Sequence, residues 1–327
     1  MTRRRAAAVV LAVVLALGAA GAGGAAIARH RFLAPGPLTQ PRNVVVPRGS
    51  PADVAQTLHA AGVIADIRAF RIAGLLTRGE GPLRAAEFAF PASASLRQVL
   101  TVLRTARPVQ HWLTIPEGLT AAQIALLLDR AEAMTGPAPV PDEGALLPES
   151  YAYEYGASRA AVVERAAGAM RRTLGQIWAE RAEDLPLATP HELLTLASIV
   201  ERETARAEER PRVAAVFLNR LKRGMKLQSD PTVAYAVSGG MGTIERALTR
   251  ADLDQANPYN TYRVPGLPPG PIGSPGVAAL QAVARPARTD ELYFVADGTG
   301  GHAFARTLEE HNRNVARWRA MSAPLTH

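Results

Sequence analysis

Glu201 is the residue whose position is best suited to acid chemistry. In a helical projection at about 100° per residue it lies within an apolar arc, between Leu194 and Ala197. A carboxyl in such surroundings is either paired or shifted toward its neutral form, because lost hydration disfavours the charge. A carboxyl that keeps its proton can donate it to a leaving oxygen. The competing interpretation is a structural ion pair with a nearby arginine such as Arg206, Arg210 or Arg220.

Glu203 is the second carboxyl of the same segment. Two residues further along a helix, its side chain points about 160° away from that of Glu201. It is therefore poorly placed to act as a second carboxylate, and we interpret it as a member of an ion pair within the helical layer. The start of this helix is predicted at Pro190, because Thr189 and Glu192 can form a capping box in which each satisfies the other's free amide.

Composition and charge exclude several classes of protein. The chain has 327 residues, is 48% hydrophobic and carries a formal net charge of +8, almost wholly from arginine. No recognition-helix pattern or basic strand with interleaved aromatic residues accompanies this charge, so we predict no nucleic-acid partner. The chain contains no cysteine, which excludes disulfides and cysteine-based zinc sites. His302 and His311 fit no metal motif, and we predict neither a metal nor a cofactor.

The N-terminus predicts a transmembrane anchor. Residues 6–28 carry no charge and follow three arginines at positions 3–5. At about 1.5 Å per residue, such a helix crosses a hydrocarbon core of about 30 Å. The arginines indicate a cytoplasmic stub at residues 1–5, which makes the chain a single-pass protein of the cell inner (cytoplasmic) membrane with its remaining part outside. The competing interpretation is a secretory signal cleaved after Ala28.

The segment after the anchor predicts a linker and a small first domain. Proline and glycine in residues 29–42 indicate a linker. A strand, a tight turn and a helix then occur twice within residues 43–135, from Val44 and from Leu113, with a weaker relative around Phe88. Such units resemble LysM glycan-binding modules, although the same pattern also builds an ordinary small α+β core.

The remaining chain predicts a mainly helical domain. A proline- and glycine-rich stretch at residues 136–141 marks the predicted boundary, and the domain covers residues 142–320. Near its end, strands around residues 292–296 and 301–305 predict a β-hairpin. The predicted fold class is therefore α+β: a transmembrane helix, a small LysM-like α/β module, and a mainly helical domain with a C-terminal β-hairpin.

Six sequence blocks of this chain occur in the order found in the endolytic murein transglycosylases, the MltG/YceG-like family of lytic transglycosylases. The blocks are residues 197–204, 216–221, 224–233, 260–262, 266–272 and 293–296. The chain resembles this family from Asn43 to Trp318, including the LysM-like part. In the family, the first glutamate of the Glu-x-Glu pattern is catalytic, and it corresponds to Glu201.

Two further stretches compare with the family pattern less completely. Residues 84–88 lack the glycine usual in the family, which affects a local turn. Glu149 and Tyr151 lie in a stretch that looks like the family's Gly-x-x-x-Pro-acidic-Thr-Tyr pattern, with Ser150 in place of the threonine. The resemblance makes Glu149 and Tyr151 candidate substrate-binding residues.

The resemblance implies a peptidoglycan lyase that cleaves the β-1,4 bond between N-acetylmuramic acid (MurNAc) and N-acetylglucosamine (GlcNAc) without water. On nascent strands this cleavage would leave 1,6-anhydro-MurNAc ends and terminate elongation. Glu201 would donate a proton to the departing oxygen and then remove one from the sugar's C6 hydroxyl. Because the nucleophile belongs to the substrate, a second carboxylate is not required.

Four polar residues near the turn after Leu227 complete the predicted site. Gln228, Asn260 and Tyr262 suit an aminosugar, since amides match acetamido and hydroxyl groups and a phenol can stack on a sugar face. Asp230 is expected to cap the helix that starts at Pro231, and it can also line the cleft.

Two other functions remain open at the level of sequence. A muramidase-type hydrolase would use water in place of the C6 hydroxyl, and a non-catalytic scaffold would only bind peptidoglycan. The resemblance also implies work beside penicillin-binding wall synthases. The short predicted linker would keep the protein near newly made strands at the membrane.

Overall fold

The computed structural model describes the backbone of residues 2–322 and the side chains of residues 8–321. The predicted cytoplasmic stub, residues 1–5, lies outside the described side chains. The chain is a mixed helix and strand protein, mostly helical, with an N-terminal apolar helix, as the sequence predicts. It forms two compact units, of which the first ends at His111 and the second begins at Trp112.

The first unit combines helices with an antiparallel strand pair. Its helices are α1 (Thr2–Leu33), α2 (Pro51–Ala60), α3 (Ile67–Leu76) and α4 (Leu96–Thr105), with a 3-10 turn at Arg78–Glu80. Its strands β1 (Arg42–Val45) and β2 (Glu87–Phe90) pair so that Val44 lies opposite Phe88. Both of these side chains are buried in the core of the unit.

Helix α1 contains a segment, Ala8–Leu33, that is long and apolar enough to cross a membrane. The helix continues past Ala28 to Leu33, and Phe32 packs against the core of the first unit. The chain that follows also lies on this unit, since the Gly36 amide donates to the Ser93 carbonyl at 3.1 Å. The prediction of a linker at residues 29–42 is therefore wrong, because Leu38 of this segment is buried in the core of the first unit and Phe32 packs against that core.

The repeated strand, turn and helix pattern is present in the structure. Strand β1 precedes α2, strand β2 precedes α4, and strand β3 (Gln110–Thr114) precedes α5 (Ala121–Arg130). Each of the three helices begins with a capping box, formed by Ser50 and Asp53, Ser95 and Gln98, or Thr120 and Gln123. A hydroxyl followed three residues later by a carboxylate or amide explains why the helices start where they do.

The second unit contains the end of β3, inside which the division between the units falls, and the remaining elements. After β3 and α5 these are β4 (Met134–Thr135), β5 (Ser150–Glu154), β6 (Ala157–Ser158), α6 (Arg159–Ala179), α7 (Pro190–Glu203), α8 (Arg210–Lys222), α9 (Asp230–Val237), α10 (Arg250–Asp254), α11 (Val277–Ala284), β7 (Tyr293–Ala296), β8 (His302–Ala305) and α12 (Leu308–Ser322). Strand β3 pairs with β5, β4 pairs with β6 in parallel, and β7 pairs with β8 in antiparallel fashion.

The second copy of the repeat belongs to the second unit. Leu113, Ile124 and Leu128 form one buried cluster with Tyr151 and Val162. The division between the units therefore falls between His111 and Trp112, before the boundary predicted at residues 136–141. The sequence placed both copies of the repeat in one domain because the copies look alike. The core that each copy joins is decided instead by the contacts of the apolar face of its helix.

Helix α7 runs through the core of the second unit. All residues from Leu193 to Val200 are buried, and the helix packs against α6, α8 and α11. Thr189 caps its start by accepting the Glu192 amide at 3.2 Å. The Glu192 carboxylate accepts the amide of Ala188 at 2.5 Å. It does not accept the amide of Thr189, so the predicted capping box forms only in part.

Candidate active site

Glu201 lies in the last turn of α7, where the buried helix approaches the surface. Its side chain is 4% exposed. One carboxylate oxygen, Oε1, accepts a hydrogen bond from Arg210 Nη2 at 2.8 Å, and the other, Oε2, accepts the amide of Gly276 at 2.9 Å. Both carboxylate oxygens therefore have a donor supplied by a neighbouring segment of the second unit.

Arg210 is one of the three arginines considered as partners for Glu201, and the structure selects it. It is the first residue of α8, and its side chain is 11% exposed. A cation at the N-terminus of a helix is disfavoured by the helix dipole. The ion pair with Glu201 gives a physical reason for an arginine at this place.

Glu117 is a second carboxyl at the site, and sequence reasoning did not identify it. It lies in the turn between β3 and α5, with a side chain that is 45% exposed. Arg210 Nη2 donates to its Oε2 at 3.4 Å, so a single guanidinium nitrogen contacts the carboxylates of Glu117 and Glu201. The prediction of a single carboxyl at this place is incomplete.

A backbone framework holds Glu117 against the chain that precedes α11. The Gly118 amide donates to the Ser274 carbonyl at 2.8 Å, and the Ser274 amide donates to the Leu119 carbonyl at 2.8 Å. Gly118 has a φ of 77°, a conformation that favours glycine. A Cβ on Gly276 would collide with the Glu117 carboxylate, so a larger residue where the amide reaches Glu201 would have to displace the Glu117 side chain.

The surroundings of Glu201 shift the pKa of its carboxyl in opposing directions. Burial raises the pKa of its carboxyl, while the Gly276 amide and Arg210 lower it and the neighbouring Glu117 raises it again, with a net upward shift. Burial and a second carboxylate favour the protonated form. The arginine and the amide stabilise the carboxylate once the proton has left. This is the environment needed by a group that gives up a proton and later takes one back.

Glu203 has a different environment. Its Oε1 accepts a hydrogen bond from the Ser229 hydroxyl at 2.5 Å. Burial raises the pKa of Glu203 to about 7, opposed by the Ser229 hydroxyl, while Asp230 raises it and Arg220 lowers it. Among the described side chains no cation lies within salt-bridge distance of Glu203, so the expectation of an ion pair is wrong. The arginine nearest in sequence, Arg202, instead donates to backbone carbonyls.

Gln228 and Asp230 flank Ser229 in the loop before α9. Gln228 is exposed, has a φ of 53°, and accepts a hydrogen bond from Arg220 Nη1 at 3.3 Å. Asp230 is the first residue of α9 and not its N-cap, because Ser229 occupies that position. The Asp230 carboxylate accepts the Tyr262 hydroxyl at 2.6 Å instead. The N-cap prediction for Asp230 is therefore wrong, and its side chain stays at the surface.

Tyr262 and Asn260 have different roles. Tyr262 is partly buried, and burial together with its bond to Asp230 raises the pKa of the phenol. Asn260 is fully buried, and its amide donates to the carbonyls of Asp252, Leu253 and Gln255. Asn260 therefore lacks the surface for the predicted substrate contact and positions the loop that carries Tyr262.

Glu149 and Tyr151 also separate in the structure. Glu149 is exposed and available to solvent. Tyr151 is 8% exposed, and its hydroxyl donates to the Leu147 carbonyl at 2.7 Å. Burial raises the pKa of Tyr151 to about 12. The predicted substrate contact through Tyr151 is thus replaced by a packing role in the core, where Tyr151 lies on strand β5.

The two histidines considered in the sequence have partners within the protein. His302 Nδ1 lies 2.7 Å from the Glu209 carboxylate, and His311 stacks on Tyr293 with ring centroids 5.2 Å apart. In the part of the chain whose side chains are described, no group of three or more His, Cys, Asp or Glu residues is placed to hold a metal ion.

A sequence signal for Glu117 does exist. The two strong copies of the repeat share a proline and a glycine around one residue, which is Arg48 in the first copy and Glu117 in the second. Within an otherwise similar turn, a change from a cation to a carboxylate marks the position where the copies differ in chemistry. The spacing of 84 residues along the chain from Glu117 to Glu201 hides their proximity.

The fold and the site define a mixed, mainly helical protein with a buried glutamate at the end of a core helix, held by an arginine and a backbone amide. The chain belongs to the YceG-like family, whose model matches residues 44–317. A crystal structure of a yceG-like protein from Listeria monocytogenes is similar, with 29% sequence identity and a TM-score of 0.53, covering 84% of this chain and 99% of that one.

Two curated relatives are each named endolytic murein transglycosylase. One, from Bacillus subtilis strain 168, is 45% identical over 38% of this chain and 33% of its own length. Another, from Streptococcus pneumoniae strain D39, is 32% identical over 84% of this chain and 57% of its own length. The matched regions therefore span between a third and about three-fifths of these relatives.

Proposed function

We propose that this protein is an endolytic peptidoglycan lytic transglycosylase that cleaves the MurNAc–GlcNAc β-1,4 bond of nascent strands. The observation that carries the proposal is Glu201, a 4% exposed carboxyl bound by Arg210 and the Gly276 amide. The family membership and the names of the curated relatives support the same reaction class.

The proposed reaction uses Glu201 twice. Its protonated carboxyl gives a proton to the glycosidic oxygen as the bond from C1 of MurNAc to that oxygen breaks. The resulting carboxylate is stabilised by Arg210 and the Gly276 amide. It then accepts the proton of the C6 hydroxyl while O6 bonds to C1, which closes the 1,6-anhydro ring and restores the protonated glutamate. No water is consumed, so the reaction is an intramolecular substitution at C1 of the substrate.

We further propose the substrate contacts and the place of action. Gln228, Asp230 and Tyr262 are exposed or partly exposed and supply the polar groups predicted for an aminosugar, with Glu149 as a further candidate. The first unit acts as a LysM-like glycan-binding module. Helix α1 anchors the chain in the inner membrane as a single pass, with the chain after α1 outside, beside penicillin-binding wall synthases.

Glu117 favours one alternative, a muramidase-type hydrolase. Retaining glycosidases use two carboxyl groups about 5 Å apart, one as acid and one as nucleophile. Because Glu117 and Glu201 both contact Arg210 Nη2, at 3.4 and 2.8 Å, their carboxylates lie close together. A hydrolase would leave reducing MurNAc ends, whereas the proposed lyase leaves anhydro ends.

Mass spectrometry of the products tests the proposal. Full-length protein in detergent is incubated with uncrosslinked glycan strands, and we expect anhydro-MurNAc ends from internal cleavage. Replacing Glu201 by Gln keeps the shape of the side chain but removes the proton, so we expect a loss of about 10²–10⁴-fold in rate. Glu164→Gln, at an exposed ion pair with Arg171, is the matched control and should leave the rate unchanged.

Each other outcome contradicts a defined part of the proposal. Reducing ends would replace the lyase by the hydrolase. Unchanged cleavage by Glu201→Gln would remove Glu201 from the reaction. Binding of strands without any cleavage by the wild-type chain would support the non-catalytic scaffold.

A further inference from the structure

Helix α3 carries an unusual outer surface for a helix of only ten residues. Its side chains Ile72, Leu75 and Leu76 are 59%, 64% and 79% exposed. They lie on one face, since positions three and four apart are neighbours on a helix, while Phe70 faces the core at 1% exposure. Single exposed apolar residues are common, but a contiguous group of this kind indicates an interaction surface.

This surface is continuous with the outer end of the apolar helix α1. One groove in the first unit is lined by Gly24, Ile27 and Phe32 of α1 and by Ile72 and Leu76 of α3. The side chain of Phe32 packs against the core of the same unit, which holds the end of α1 in place. Helix α3 is therefore fixed beside the last turns of the membrane-crossing segment.

The rim of the surface is basic. A second groove beside the apolar face is lined by Arg68, Arg71 and Arg78 together with Ile72 and Leu75. The described residues that line the two grooves include no aspartate or glutamate. Two neighbouring carboxylates have partners of their own: Asp66 caps α3 by accepting the Arg68 and Ala69 amides, and Glu80 pairs with Arg104, a further arginine that lines the second groove.

We propose that this surface, formed by Ile72, Leu75 and Leu76 with Arg68, Arg71 and Arg78, lies in the headgroup region of the bilayer that α1 crosses and binds anionic phospholipid. About 20 helical residues span the hydrocarbon core, so a span that begins near Ala8 ends near Ile27, the level at which α3 lies. Apolar side chains bordered by arginines are the pattern of helices that lie in the membrane interface.

Docking of this kind would orient the first unit on the membrane by two contacts, the helix α1 and the face of α3. A single helix through the bilayer leaves rotation and tilt free, whereas a second contact fixes both. The inference rests on the proposed retention of α1 as an anchor and is independent of the proposed reaction.

Single-cysteine labelling tests the proposal directly, because the chain contains no cysteine of its own. An environment-sensitive fluorophore is attached to Leu75→Cys, to Val14→Cys within α1, and to Gln56→Cys, an exposed position of α2 that lines neither groove. Each full-length variant is reconstituted into vesicles of phosphatidylglycerol mixed with phosphatidylcholine, and into vesicles of phosphatidylcholine alone. Quenchers attached to lipid or dissolved in water report the surroundings of the label.

We expect the label at Leu75 to be quenched from lipid, more strongly in the vesicles with phosphatidylglycerol, and the label at Gln56 to be quenched from water. Arg68→Gln and Arg71→Gln should each lower the equilibrium constant for insertion of the Leu75 label by about fivefold in anionic vesicles. Arg48→Gln, an exposed arginine of the first unit that lines neither groove, is the matched control and should change nothing.

A label in lipid at Val14 but in water at Leu75 would overturn the docking while leaving the anchor intact. Labels in water at both positions would overturn the docking together with the anchor. Shielding of Leu75 that appears in detergent and grows with protein concentration would assign the surface to a second copy of the chain and also overturn the proposal. None of these outcomes bears on the proposed reaction, which is tested separately by cleavage of glycan strands.

Discussion

Glu201 and Glu203 lie two residues apart at the end of one helix, yet their carboxyl groups have different kinds of partner. Glu201 receives a guanidinium and a backbone amide, both of which stabilise its charged form. Glu203 receives the hydroxyl of Ser229 and lies near the carboxylate of Asp230. Burial raises the pKa of both carboxyls, so burial alone does not distinguish them.

The difference lies in what happens when each group loses its proton. The carboxylate of Glu201 is held by Arg210, whereas that of Glu203 has a hydroxyl and no ion pair. We therefore expect Glu201 to exchange a proton during a reaction and Glu203 to act mainly on stability. Beyond Glu201→Gln, four further substitutions test this contrast, in order of decreasing effect.

Replacing Arg210 by Met should cause the largest loss of stability. It leaves the carboxyl of Glu201 buried without its cation, and breaking a buried ion pair from one side typically costs about 3–5 kcal/mol. We expect a marked fall in the free energy of unfolding at neutral pH, measured by urea titration of the full-length protein in detergent. The double variant Glu201→Gln with Arg210→Met should recover part of this loss. A double variant no more stable than Arg210→Met alone would contradict the coupling.

Glu203→Gln should remove a pH dependence of stability. Burial raises the pKa of Glu203 to about 7, above the usual 4.5 of a glutamate in water, so the folded state binds more protons than the unfolded state between these values. The wild type therefore loses stability as the pH rises through this window, by an amount on the order of 3 kcal/mol.

Urea titrations of the wild type and Glu203→Gln at about pH 5 and about pH 8 measure this effect. The Gln side chain mimics the protonated carboxyl and still accepts the Ser229 hydroxyl, so the variant should be more stable than the wild type at the higher pH and similar at the lower. A wild type with equal stability at both values would show that the Glu203 carboxyl is not shifted.

Glu117→Gln distinguishes two roles for the second carboxyl of the site. As a neighbour that raises the pKa of Glu201 and shares Arg210, its loss should lower the pKa of Glu201 and reduce the rate by about tenfold, with the pH profile moved toward acid. Measurement of strand cleavage over a pH series tests this. A loss as large as that of Glu201→Gln would instead assign Glu117 as a nucleophile of the hydrolase alternative.

Ser229→Ala should have the smallest effect. The Ser229 hydroxyl lowers the pKa of Glu203, so its removal should raise that pKa further and move the loss of stability to higher pH. Below the pKa of Glu203 the bond joins two neutral groups and contributes about 1 kcal/mol, so we expect a loss of that size in the free energy of unfolding there, with unchanged cleavage. A large loss of cleavage would show that the loop of Gln228 and Asp230 depends on this bond.

Much of the fold follows from local sequence. Hydroxyl and amide or carboxylate residues three apart start α2, α4 and α5, and the apolar stretch from Leu193 to Val200 predicts the core helix α7. Periodicity and capping act within a few residues, which is why they can be read without the structure.

Contacts between residues far apart along the chain could not be predicted as well from the sequence. The sequence placed the second repeat in the first domain and residues 29–42 in a linker, because the local pattern does not say which core an apolar face will join. It also assigned Asn260 to the substrate, since an amide that contacts a ligand and one that holds a loop look alike in one dimension. Only the burial of that side chain separates the two.

The sequence by itself determined an apolar N-terminal helix, a core helix ending in Glu-x-Glu, and ordered blocks that identify the family. The tertiary structure alone decided that Arg210 is the partner of Glu201, that Glu117 joins them, and that Ser229 faces Glu203. The physical reason is distance along the chain: 84 residues separate Glu117 from Glu201, and only folding of the second unit brings both carboxyls to one guanidinium.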